Sequence, residues 1–145
     1  EAKLSIIGKH IPDALKKKLL SDVVFNENAP DDTRKIYEQA DVLLAPVRAS
    51  GGASFKVLEG MATGLPVVTT PLVEKTLSAR DGEELLVANE NDPDAFAQKT
   101  VELLQDEELY ERIARNARKL VEKKYDWKII VKELERIYES VLTIS

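Results

Sequence analysis

Between Lys3 and Ala88, five short apolar runs alternate with helical patterns. The runs are "KLSIIG" (Lys3 to Gly8), "VVF" (Val23 to Phe25), "DVLLAP" (Asp41 to Pro46), "LPVVTT" (Leu65 to Thr70) and "ELLVA" (Glu84 to Ala88). Strands separated by helices form parallel sheets covered on both faces, wound by right-handed crossovers. The alternation therefore predicts an α/β chain with a Rossmann-like, doubly wound parallel sheet. Pro12 marks the first helix start, with Leu15, Leu19 and Leu20 on one face. Asp31 or Asp32 caps the second helix, with Ile36, Tyr37 and Ala40 inward. After Asn89 only helical patterns remain. Asp92 caps a helix whose Phe96, Val101 and Leu104 face inward. A second repeats Leu109, Ile113, Leu120 and Val121, and a third Ile130, Leu134, Ile137 and Val141. Tyr125 and Trp127 read as anchors packing the last helix.

The 145 residues suit a single domain, and 43% apolar residues suffice for a core. A formal net charge of −5 argues against a nucleic-acid coat. There is no cysteine and only one histidine, His10, so neither a disulfide framework nor a zinc site is expected. No apolar run approaches the roughly 20 residues of a membrane span, and no signal-peptide pattern is present. The expectation is a cytoplasmic protein without a metal. The chain opens on Glu1, and its only methionine is Met61, so it is expected to be a fragment or a processed chain.

Ligands of such sheets bind at the carboxyl ends of the strands. "SGGASFKVLEGMATGLPVVTT", from Ser50 to Thr70, follows one of those ends. Gly51 and Gly52 let a ligand approach the backbone closely. The amides of Gly52, Ala53, Ser54 and Phe55 lead into a helix from about Ser54 to Ala62, where free N–H groups and the helix dipole favour phosphate. Ser54 adds a hydroxyl, and Arg48 and Lys56 add positive charge. Glu59, five residues after Ser54, carries a carboxylate that accepts from a diol such as ribose. Val57, Leu58 and Met61 face the sheet. Each feature has a plainer reading. The glycines also suit a simple turn, Lys56 and Glu59 are spaced as a surface ion pair, and Arg48 suits a solvated site. His10 follows the first strand and suits a solvated or capping position as well as one lining a pocket.

"YEQADVLLAPVRASGGASFKVLEGMATGLPVVTT", with "DGEELLVANENDPDAFAQKTVELLQD" and "YDW" behind it, resembles the nucleotide-binding C-terminal half of the group-1 (family 4) retaining glycosyltransferases. The likeness covers nearly the whole chain and is most specific at "KVLEGMATGLPVV". It implies half of a GT-B fold, with residues 1–145 as one Rossmann-like domain of a two-domain enzyme. It implies a nucleoside-diphosphate sugar as donor and no cofactor. Glu59 would hold the ribose hydroxyls, and the amides from Gly52 to Phe55 the diphosphate. Gly8 and the loop from Phe25 to Asn28, including Asn26, would flank the base. Thr69 and Thr70 would border the donor, with Glu74 near it. The acceptor domain, and with it any peripheral membrane contact, would lie in the absent half, so this chain alone is expected to transfer nothing.

Two departures stand out. Many members carry two glutamates eight positions apart, and Gly51 stands where the first would be. The family's first central strand, with a basic pair in its loop, has no counterpart before "KLSIIG". Closing that gap would give strand order 2-1-3-4-5; otherwise another segment fills it. A GT-B-fold sugar-nucleotide epimerase and a non-catalytic Rossmann-like binding module are the alternative readings. A receiver domain would want acidic residues where this chain has "GKH" and "APV".

Overall fold

A computed structural model describes residues 2–18, 22–30, 32–49 and 51–143. Leu19, Leu20 and Asp31, assigned above to a helix face and a cap, lie outside the described residues. The chain divides into two compact units, residues 1–36 and 37–145.

In the first unit β1 (Leu4–Ile7) pairs in parallel with β2 (Val23–Asn26), joined through α1 (Asp13–Lys18). The unit is thinly covered. Leu4 is 41% and Val24 51% exposed, and α1 buries none of its described residues. The buried strand expected at "KLSIIG" is thus half exposed. Polar bonds do part of the holding: Glu27 accepts from the Ile11 amide at 3.0 Å and pairs with Lys16. Asp32 accepts from the Arg34 amide at 3.2 Å and so opens α2 (Arg34–Tyr37).

In the second unit β3 (Leu43–Ala45), β4 (Val67–Thr69) and β5 (Leu86–Val87) form a parallel sheet with β4 in the centre. Side chains alternate across a strand. Val67 accordingly packs with Val57, Met61, Val73, Leu77 and Ala117, whereas Val68 packs with Leu86, Leu103, Leu109 and Ile113. Both faces are covered, as a parallel sheet requires. α3 (Phe55–Thr63), α4 (Pro71–Leu77), α5 (Pro93–Gln105) and α6 (Glu107–Lys124) supply the cover. Their boundaries follow local chemistry. Pro71 and Pro93 occupy first helical positions, and Asp92 and Asp106 accept from Ala95 and Leu109 amides. Gly64, at φ 80°, ends α3 in the left-handed conformation that glycine adopts without a steric penalty.

β1 ladders with β2, and β4 ladders with both β3 and β5; among the described residues no ladder joins the two sheets.

Three packing expectations need correction. On α5 the inward residues are Leu103 and the partly buried Ala95 and Phe96, whereas Val101 and Leu104 are 47% and 44% exposed. Ala40 is exposed rather than inward. On α7 (Trp127–Thr143) Ile130, Leu134, Ile137 and Val141 are all exposed, and Trp127 is 75% exposed, so it anchors nothing here. Tyr125 does anchor, donating to the Leu77 carbonyl at 3.1 Å. Val101→Thr is therefore expected to change stability by less than ~0.5 kcal/mol, read as an unshifted urea midpoint.

Candidate functional site

Within the second unit the loops after the carboxyl ends of the strands are tied to one another. The Thr69 hydroxyl donates to the Ala45 carbonyl at 2.9 Å, and the Thr70 hydroxyl to the Val47 carbonyl at 2.8 Å. Both threonines are fully buried. Thr70 thus braces the loop after β3 with its hydroxyl instead of presenting it outward. Arg48 reaches from that loop to the Glu90 carbonyl after β5, at 3.4 Å. The result is a braced rim along the carboxyl edge of the sheet.

Gly51 and Gly52 lie on this rim, exposed. Neither has a left-handed φ, and a Cβ built on either meets nothing within 4 Å among the described residues. The chain's own conformation and packing therefore do not call for glycine at these two positions. Ala53 is exposed and Ser54 partly buried where the loop enters α3. Ser54 is the N-cap, and its hydroxyl makes no capping bond. Its carbonyl accepts from Val57 and Leu58, and the first-turn amides of Phe55 and Lys56 have no acceptor within the helix itself. The Phe55 ring is 74% exposed and Lys56 is exposed. Val57, Leu58 and Met61 are buried against the sheet, as expected from their spacing. That buried face fixes the rotation of α3 and turns Glu59 to the open side.

Glu59 and Lys56 do not pair. The Glu59 carboxylate accepts instead from the Tyr37 hydroxyl, at 2.9 Å across 22 residues. Burial, and then the bond to Glu59, push the Tyr37 phenol well above the ordinary tyrosine range, so it stays a donor. Sequence reasoning took Tyr37 as plain core. A tyrosine on an inward helix face still needs a partner for its hydroxyl, and that was the signal available. Glu74 is spent on structure, accepting from the Asp81 amide at 3.0 Å.

In the first unit Gly8 and Asn26 meet at the carboxyl ends of β1 and β2, the Gly8 amide donating to the Asn26 carbonyl at 3.1 Å. The Asn26 side chain accepts from the Asn28 amide at 2.9 Å and shapes the turn. His10 is exposed, with φ 59°. Among the described residues no group of three or more His, Asp or Glu side chains is placed to hold a metal ion, and no helix is long and apolar enough to cross a membrane.

A family model described as "Glycosyl transferases group 1" matches residues 1–106. The capsular polysaccharide biosynthesis glycosyltransferase CapM of Staphylococcus aureus is 32% identical over 114 residues, which cover 79% of this chain and 30% of that protein. The phosphatidyl-myo-inositol mannosyltransferase of Mycobacterium leprae is 31% identical over 149 residues, covering 99% of this chain and 39% of that protein. The chain thus spans about a third of the length of these curated relatives. The structure of Anabaena HepE in complex with UDP-glucose superposes with a TM-score of 0.78 at 18% identity, over 97% of this chain and 41% of that one. That likeness is one of fold.

Proposed function

This chain belongs to the group 1 glycosyl transferases, and from that premise we propose that residues 1–145 are the C-terminal, donor-binding domain of a longer two-domain enzyme. The enzyme transfers a sugar from a nucleoside-diphosphate sugar to an acceptor, with retention at the anomeric carbon. The observation that carries this reading is Gly51, where an added Cβ meets nothing within 4 Å among the described residues, ahead of an α3 N-terminus whose Ser54 makes no side-chain capping bond.

The order of groups on the protein matches their order on the ligand. Diphosphate sits between the transferred sugar and the ribose. The amides of Ala53 to Phe55 receive the diphosphate, and Glu59, four residues into the helix from Phe55, receives the adjoining ribose diol. In transfer the anomeric C–O bond to the diphosphate breaks, a new one forms to the acceptor oxygen, charge grows on the departing phosphate, and the proton of the acceptor hydroxyl passes to that phosphate. The positive end of α3, with Lys56 and Arg48 nearby in sequence, stabilises that charge where it develops. Thr70 braces the loop on which the diphosphate rests. No metal or cofactor enters this scheme. The acceptor site belongs to the part of the enzyme outside this chain, and the chain alone is expected to transfer nothing. The HepE complex with UDP-glucose supports the donor class.

Calorimetric titration with UDP, GDP and ADP tests the reading. One diphosphate is expected to bind, and Glu59→Ala to weaken it by about tenfold, the loss of charge-assisted bonds to the diol. If none of the three binds, the donor-site reading is wrong.

A further inference from the structure

Glu59 is a long, exposed side chain, and an unrestrained glutamate loses rotamer freedom when a ligand fixes it. A half-buried aromatic removes part of that freedom beforehand. Tyr37 ends α2, its ring is partly buried, and its hydroxyl donates to Glu59 Oε2 at 2.9 Å. The ring lies against α3 beside the next residue, Gly60, which is buried. A Cβ at Gly60 would lie 2.7 Å from Leu43 Cδ2, so it is Leu43 that calls for glycine there, and 3.7 Å from the Tyr37 ring, an ordinary contact. Tyr37 thus packs against α3 with its polar end on the Glu59 carboxylate. A carboxylate offers about four acceptor sites; Tyr37 occupies one on Oε2 and leaves Oε1 whole for a diol.

We propose that Tyr37 is a positioning residue for the donor diol, holding the Glu59 carboxylate in the rotamer that receives both ribose hydroxyls. The inference rests on the donor-site reading of Glu59 and adds a specificity determinant to it. The Tyr37–Glu59 pair selects ribonucleotides over nucleotides that lack the diol.

The test uses the nucleoside diphosphate that binds best and its 2′,3′-dideoxy analogue, titrated into the full chain and into Tyr37→Phe, Glu59→Gln and the double variant. Phenylalanine keeps the ring against Gly60, and a thermal melt checks that the fold is retained. Tyr37→Phe is expected to weaken the ribonucleotide about 3- to 10-fold, the range of one hydrogen bond. The dideoxy analogue is expected to change by less than about twofold, and Tyr37→Phe to add nothing once Glu59→Gln is present. Equal weakening of both ligands would make Tyr37 a packing residue and overturn the proposal, as would an unchanged ribonucleotide affinity in Tyr37→Phe while Glu59→Gln still weakens it. If Glu59→Gln leaves ribonucleotide and dideoxy affinities unchanged, the donor-site reading itself fails and this inference with it.

Discussion

Gly51→Val is expected to leave the fold intact and to weaken nucleoside-diphosphate binding by about tenfold to a hundredfold. The first half follows from geometry. Position 51 has no left-handed φ, and an added Cβ meets nothing within 4 Å among the described residues. Replacing a loop glycine whose conformation the new residue can adopt also narrows the unfolded ensemble, which adds up to about 1 kcal/mol of stability. The second half follows from where a valine would stand. Its methyl groups would occupy the space through which a phosphate oxygen reaches the amides ahead of α3. Losing one or two hydrogen bonds to a charged acceptor costs about 1.5–3 kcal/mol each, which is tenfold or more in affinity. Titration with the bound diphosphate, with a thermal melt alongside, separates the two effects. Unchanged affinity in a folded Gly51→Val would reduce the glycines to a loop and remove the main support for the donor-site reading.

Ile113→Ala is expected to destabilise the second unit by about 2–5 kcal/mol, the range for emptying a packed aliphatic site. Ile113 is 0% exposed and sits among Val68, Leu86, Leu103 and Leu109 beneath the sheet. Ile130→Ala on α7, by contrast, is expected to cost less than ~1 kcal/mol, since Ile130 is 38% exposed. Urea unfolding of both variants checks the contrast. Comparable losses would mean that α7 is packed into the unit as tightly as α6.

Much of this molecule was legible from local chemistry. The "VV" of β4 announced a strand buried on both faces, and Val67 and Val68 indeed serve opposite clusters. Asp92, Pro93 and Gly64 mark helix ends because capping and φ constraints act within a few residues. On α3 the spacing of Val57, Leu58 and Met61 fixed the buried face and so turned Glu59 outward. The phase of α5 was misread. "VELL" offers three apolar residues in four, and only contact with β4 and β5 selects Leu103 over Val101 and Leu104.

By itself, then, the sequence determined the parallel α/β class, the helix ends, the glycine-to-helix rim and the family, because each is encoded in short-range pattern. The tertiary structure alone decided that β1 takes β2 as its partner and that β4 stands between β3 and β5. It also decided that Glu59 takes Tyr37 rather than Lys56 as its partner, and that the apolar face of α7 stays uncovered among the described residues. The physical reason is common to all three. An apolar stripe or a carboxylate states what it needs from its surroundings, but residues far apart in the chain supply it, and only the packed fold brings them within reach.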